Sequence, residues 1–191
     1  MNEEVVEQAA LGWFEWLGYT TRRGADISPG GDSPLRANYE DVVLYSRLNT
    51  ALHRVNDHLP EESLDQVKRL ITHPPEPSLV QNNRWFQRTL TDGIDVEYRT
   101  ADGVRGDKAW LLDFENPERN DFVVVSQFTV RSQNNTRRAD LVAFVNGLPI
   151  AVFELKDPTD EHASIWSAYR QLQEYKDSVP SLFYYNELMI I

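Results

Sequence analysis

The chain has no cysteine. Disulfides, thiolate zinc sites and cysteine nucleophiles are excluded, and the simplest setting is the reducing cytoplasm. No apolar run approaches the roughly 20 residues that a membrane span needs, and no charged-then-apolar leader opens the sequence. The Gly-Lys-Ser/Thr ending of a phosphate-binding loop occurs nowhere, so Gly30-Gly31 within Ser28–Pro34 reads as a turn-rich connection. An ATPase motor is therefore not expected within these residues. Zinc-type histidine spacing is missing too, and His53, His58, His73 and His162 are expected at the surface. Basic residues are scarce, 19 against 30 acidic, for a formal net charge of −11. Taken alone, that balance speaks against a free-standing nucleic-acid binder.

What is present fits one soluble globular domain: 191 residues, 41% hydrophobic and 26% charged. Residues 3–17 read as a helix that Asn2 can cap, with Glu3 and Glu4 at its positive end and Gly18 as its stop. Helical spacing recurs over 39–58 (Leu44, Leu48, Leu52, Val55) and 61–72 (Leu64, Val67, Leu70, Ile71). Ser78 can cap a further helix to about Leu90. After Gly93 the texture changes to strand-like segments at 94–100, 108–112, 122–130, 140–145 and 149–156. A helix over 162–177 follows, then apolar residues at 182–185 and 188–191. This order predicts a mixed α/β sheet flanked by helices, with a mainly helical part over about 1–92 and a sheet and helix over about 93–191. Met189-Ile190-Ile191 is apolar to the last residue, which points to a piece of something longer.

The chemistry concentrates between Arg137 and Lys156. Two nearly continuous apolar strands flank Asn146-Gly147, a strong hairpin signal. Strands this apolar are usually buried on both faces, yet Asp140 opens the first and Glu154 and Lys156 close the second. Period-2 geometry puts Glu154 and Lys156 on one face, with Cα atoms roughly 6.5 Å apart. Two carboxylates and a neighbouring backbone carbonyl make a hard oxygen site suited to Mg²⁺. A lysine beside it can orient or deprotonate a water and offset charge on phosphoryl oxygens. The bland alternative is a strand-end salt bridge that blunts a sheet edge.

Several segments bear a family resemblance: Asn116-Pro117, Asn120-Asp121-Phe122, Gln127-Phe128-Thr129-Val130, Arg138-Ala139-Asp140, Phe144–Pro149 and Phe153-Glu154-Leu155-Lys156. Together they resemble the N-terminal nuclease region of the restriction subunit of type I restriction-modification enzymes, over most of the chain from the opening helix through Asn83-Arg84-Trp85-Phe86 to the end. The resemblance implies a restriction-endonuclease-like PD-(D/E)xK fold, with Asp140, Glu154 and Lys156 as catalytic residues and Ala139 in place of the motif proline. It implies Mg²⁺ as cofactor with Mn²⁺ as substitute, and double-stranded DNA as substrate. ATP is implied only for motor domains absent from these residues, with modification and specificity subunits as partners. The family's Gln-xxx-Tyr motif falls on Gln171 and Tyr175, an i,i+4 pair on one helix face beside Ser164 and Ala168. Ile165, Tyr169 and Leu172 form a separate apolar stripe. Nucleases of this broad fold often take a further acidic ligand from the first helix, and Glu7 is the candidate; a solvated helix acid is the alternative.

The acidic balance is uneven. From Ser126 to Ala139 the chain carries Arg131, Arg137 and Arg138 and no acid, so Arg137 and Arg138 are candidate DNA contacts. A non-catalytic module of the same fold that docks DNA or a subunit is a second reading, and a nuclease for another nucleic acid a third. The third shares the chemistry of the first, and one geometric condition tests the metal site that both require. An ideal two-residue Asn-Gly turn pairs Val145 with Leu148 and Asp140 with Phe153, which leaves Glu154 on the wrong face. The metal site therefore requires an odd loop or a bulge in one strand.

Overall fold

The protein, seen here as a computed structural model, is described for residues 3–157 and 164–191. Along the chain come α1 (Glu3–Trp16), β1 (Thr20–Arg23), the one-turn α2 (Gly24–Ile27), α3 (Tyr45–Val55), α4 (Glu61–Thr72) and α5 (Leu79–Asp92). Then follow β2 (Ile94–Thr100), β3 (Gly103–Ala109), β4 (Phe122–Ser132), β5 (Asn135–Val145), β6 (Leu148–Phe153), α6 (Ile165–Ser178) and β7 (Leu188–Ile190). The main sheet runs β1-β4-β5-β6-β7, parallel at both edges and antiparallel between β4, β5 and β6. β2 and β3 pair separately as an antiparallel ribbon. The mixed α/β sheet flanked by helices is thus as the pattern predicts.

α1 ends as expected. Gly18 takes φ +91°, Tyr19 N–H reaches Phe14 O and Gly18 N–H reaches Glu15 O, the two bonds of a Schellman stop. The Asn2 cap lies outside the described residues. α3 begins at Tyr45, six residues later than its apolar spacing implies. The cause is local competition for backbone donors: Asp41 Oδ2 accepts from the N–H groups of Ala37 and Asn38, and Asn38 Oδ1 from those of Glu40 and Asp41. Ser78 caps α5 by accepting from Gln81 N–H. β3 covers 103–109 rather than 108–112, β5 starts at Asn135 and β6 stops at Phe153.

Leu48, Leu52, Leu64, Val67, Ile71 and Phe86 of the helical half pack into one core with Val125, Phe128, Val142, Phe144 and Val152 of the sheet. Leu172 and Tyr175 of α6 join the same cluster. α1 adds its Phe14 ring edge-on to Phe153 and Tyr19, with centroids 5.4 and 4.9 Å away.

The Asn146-Gly147 turn is buried. Both residues have positive φ, 52° and 80°, as a tight two-residue hairpin turn requires. Asn146 accepts from Asp121 N–H and donates to Leu111 O and Asn120 Oδ1, each at 2.8 Å. Gly147 O accepts from Leu44 N–H, and a Cβ on Gly147 would stand 2.6 Å from Leu44 O. The turn therefore plugs into the start of α3 and fixes the β5–β6 hairpin against the helical half.

Gly24 makes a comparable close approach. A Cβ there would collide with the Gln127 carbonyl, with its carbon at 2.8 Å and Ser126 O at 3.0 Å. Gly24→Ala is expected to destabilise the protein by about 1–3 kcal/mol, read as a lower urea midpoint. An unchanged midpoint would refute this packing.

Candidate active site

The hairpin register decides the site. Val145 faces Leu148 and Phe144 faces Pro149, as a two-residue turn dictates, but Ala143 then faces Ala151, Val142 faces Val152 and Leu141 faces Phe153. Ile150 is the extra residue, a β-bulge in β6. Its carbonyl is put to use: it accepts from Glu187 N–H at 2.8 Å and from Asn186 Nδ2 at 3.3 Å, which ties the bulge to the segment leading into β7. Continuing the shifted register sets Asp140 opposite Glu154 instead of Phe153. The condition that the metal-site reading imposed is met by a bulge, with the ideal turn retained.

Asp140 Oδ2 accepts from the Leu155 N–H at 2.7 Å, a bond across the two strand ends. Glu154 is 1% exposed. Lys156 Nζ donates to Glu154 Oε1 at 2.7 Å and to Gln171 Oε1 at 3.0 Å, and lies 3.7 Å from Glu3 Oε1. Gln171 Nε2 donates to the Tyr175 hydroxyl at 2.9 Å, which donates to Arg138 O at 3.0 Å. A continuous chain thus runs from Glu154 through Lys156, Gln171 and Tyr175 back to β5, two residues before Asp140. Glu154 Oε2 is buried and, among the described residues, has no hydrogen-bond partner.

Burial raises the pKa of Glu154 to about 7, the Lys156 hydrogen bond opposing and the Asp140 charge adding. Burial also raises Asp140, partly offset by the Leu155 hydrogen bond. For Lys156, burial acts downward, yet the hydrogen bond and charge of Glu154 prevail and the pKa is raised. At neutral pH Lys156 is therefore an ammonium, held as a donor.

Glu7 is not gathered with Asp140 and Glu154 into a cage. Among the described residues no three His, Asp or Glu side chains stand close enough together to hold a metal. Its carboxylate accepts instead from the Gln127 amide. Arg138 is exposed and lines a cleft of about 890 Å³ between α1, β1 and β4, which Glu7, Arg22, Arg23, Ser126 and Gln127 also line. Arg137 is half-buried and donates to the neighbouring Thr136 O. On α6, Ile165 and Tyr169 are 72% and 46% exposed, so the expected apolar stripe is not a packed face. Ala168, Leu172 and Tyr175 are buried there instead, and Ser164 caps the helix. His53, His58 and His73 are exposed; His162 lies outside the described residues. Gln127 and the buried Asn146 network were not foreseen as parts of the site or its support. Asn146 could be read only as a turn signal.

The mixed sheet flanked by helices, with two acids and a lysine converging at the ends of adjacent strands, is an α/β architecture of the nuclease-like kind. Comparison with known proteins is more specific. Residues 1–191 match the family described as the type I restriction enzyme R protein N terminus, and the chain belongs to it. The type I restriction enzyme HindI endonuclease subunit of Haemophilus influenzae is 36% identical over 192 residues, covering 100% of this chain and 18% of that subunit. A Methanocaldococcus jannaschii sequence named for the MjaIXP endonuclease subunit is 30% identical over 195 residues, again 100% of this chain and 18% of its own length. The EcoprrI endonuclease subunit of Escherichia coli is 34% identical over 108 residues, 54% of this chain and 33% of that subunit. The chain therefore spans about a fifth of the length of the first two relatives. No helix among the described residues is long and apolar enough to cross a membrane.

Proposed function

We propose that this chain is a divalent-cation-dependent endonuclease domain of the PD-(D/E)xK class that hydrolyses phosphodiester bonds of double-stranded DNA. The observation that carries the reading is the Ile150 bulge, which aligns Asp140 with Glu154 next to Lys156. The donor set fits a cation: an orphaned, buried carboxylate oxygen on Glu154 is an acceptor that a hard cation would satisfy. Asp140, Glu154 and the Leu155 carbonyl would hold Mg²⁺, or Mn²⁺ in its place. When bound, the cation supplies Lewis-acid polarisation of the scissile phosphate. Lys156, kept charged by Glu154, has one N–H left after its bonds to Glu154 and Gln171, and that donor and its charge serve the attacking water and the charge growing on the phosphoryl oxygens. Gln171 holds Lys156 from the α6 side, and Tyr175 anchors Gln171 to the β5 backbone.

Arg138, with Arg137 behind it, supplies phosphate contacts at the cleft mouth, and a cation held by Asp140 and Glu154 would offset the local negative field. DNA binding by this chain alone is therefore weak and strongly salt-dependent. The similarity to endonuclease subunits supports a place in a cytoplasmic type I restriction enzyme, alongside modification and specificity subunits. ATP would be used only by segments outside these residues.

Supercoiled plasmid incubated with the chain and Mg²⁺ or Mn²⁺ should be nicked, and Asp140→Ala should lose the activity. Nicking in the presence of a chelator, or equal nicking by Asp140→Ala, would overturn the proposal.

A further inference from the structure

Among the described residues three non-glycine positions have left-handed φ: Gln133, Asn146 and Gln127. The first two occupy hairpin turns, between β4 and β5 and between β5 and β6, where such angles are ordinary. Gln127, at φ +55°, sits in the middle of β4, the sheet's second strand. A bulky residue there is an outlier, held only because its surroundings over-determine it.

Its surroundings show how it is held. Val123 and Val125 belong to the core cluster, and so do Phe128 and Val130, so the inward alternation of β4 slips by one residue across Ser126 and Gln127. The Phe128 and Phe144 rings meet edge-on at 5.3 Å although Phe144 pairs with Val123, five positions earlier, which confirms the slip. β5 answers in kind, with Ala139 and Val142 both in the cluster. The β4–β5 ladder keeps one register on both sides of the slip, from Ser126–Leu141 to Phe128–Ala139, which leaves Gln127 directly across from Asp140. The Gln127 carbonyl is turned out against Gly24, where only glycine leaves room. β1 pairing ends beside it, at Arg23 with Ser126. Its side-chain amide is thereby aimed at α1, where it donates to Glu7.

We infer that Gln127 is a positioning residue: its left-handed kink and amide hold Glu7 as an outer-shell acid beside the cation bound by Asp140 and Glu154. Mg²⁺ and Mn²⁺ keep several waters, so a carboxylate one water away still binds and orients the ion. Gln127 stands across the β4–β5 ladder from Asp140 and donates to Glu7, which draws the Glu7 carboxylate toward that end of the site. This inference rests on the cation-dependent reading above and adds the element that joins α1 to it.

The test uses variants that separate backbone strain from the amide. Gln127→Gly accepts φ > 0 freely, and Gln127→Asn tolerates it while withdrawing the amide by one methylene. Both should fold, and Gln127→Gly should melt no lower than the parent. Both should bind Mn²⁺, followed by calorimetry without DNA, about 10-fold more weakly or worse. Glu7→Gln should show a similar loss, and Gln127→Gly combined with Glu7→Gln should be no weaker than Glu7→Gln alone, because the two act through one contact. Parent-like Mn²⁺ affinity in both Gln127 variants, or losses that simply add, would overturn the inference and leave the nuclease reading standing. A parent chain whose Mn²⁺ binding is absent or indifferent to Asp140→Ala would overturn both.

Discussion

Lys156→Ala is expected to lower plasmid nicking by at least about 10²-fold while leaving the circular dichroism spectrum unchanged. The lysine is the only cation in direct contact with Glu154 among the described residues, and it bridges that carboxylate to Gln171 on α6. In the proposed reaction, removing it takes away the donor that would meet the reacting phosphate. The usual objection to such a variant is that orphaning a buried carboxylate unfolds the protein. Here the cost is capped. Glu154 already titrates near 7, so without its lysine it takes up a proton at neutral pH with little penalty. The expected loss of stability is roughly 1 kcal/mol, measurable by urea titration beside the activity assay. Nicking at the parental rate by a folded Lys156→Ala protein would remove the lysine from the mechanism.

Glu154→Gln should have a different signature, loss of the proposed nicking activity in a protein more stable than its parent. The carboxyl ionises near 4.5 when the chain is unfolded and near 7 when it is folded. Between those values unfolding releases a proton, so parental stability falls as pH rises through that window and stays low above it. Glutamine carries no such penalty. In the absence of divalent cation the variant should therefore be more stable than the parent by roughly 2–3 kcal/mol at about pH 8. The gap should close below the unfolded-state value. Adding Mn²⁺ should raise the parent's midpoint and not the variant's, because only the parent offers the charged ligand. A variant less stable at about pH 8 would mean that the bond from Lys156 outweighs the burial of the charge.

The parts of this fold that sequence reveals are those whose causes are local. α1 and its glycine stop, the Ser78 cap and the strongly apolar β4, β5 and β6 all announce themselves within a few residues. β1 does not. Thr20–Arg23 is short and polar, and it is a strand because it lies parallel to Val123–Ser126, a hundred positions away. The late start of α3 follows from two side chains, Asn38 and Asp41, that compete for the same N–H groups as the helix. The apolar count over 39–58 does not register that competition.

The site divides along the same line. Asp140, Glu154 and Lys156 stand out because charges interrupt apolar strands, and the need for a bulge follows from counting residues around the turn. Where the bulge falls, at Ile150, depends on the partners waiting for its carbonyl at Asn186 and Glu187. Gln127 carries no local signal, since its dihedral angle is imposed by Gly24, the core slip and Glu7 together.

The Ile150 bulge also bears on how such a site could be transplanted or lost. The chemistry here is written in an odd number of residues as much as in the identity of three side chains. A designer who copied Asp, Glu and Lys onto an ideal Asn-Gly hairpin, at these sequence spacings but with β6 paired regularly and no bulge, would obtain a stable sheet with its acids on opposite faces. A lineage could lose the site the same way, through substitutions that let β6 pair with β5 without the bulge, with Asp140, Glu154 and Lys156 still spelled out in its gene.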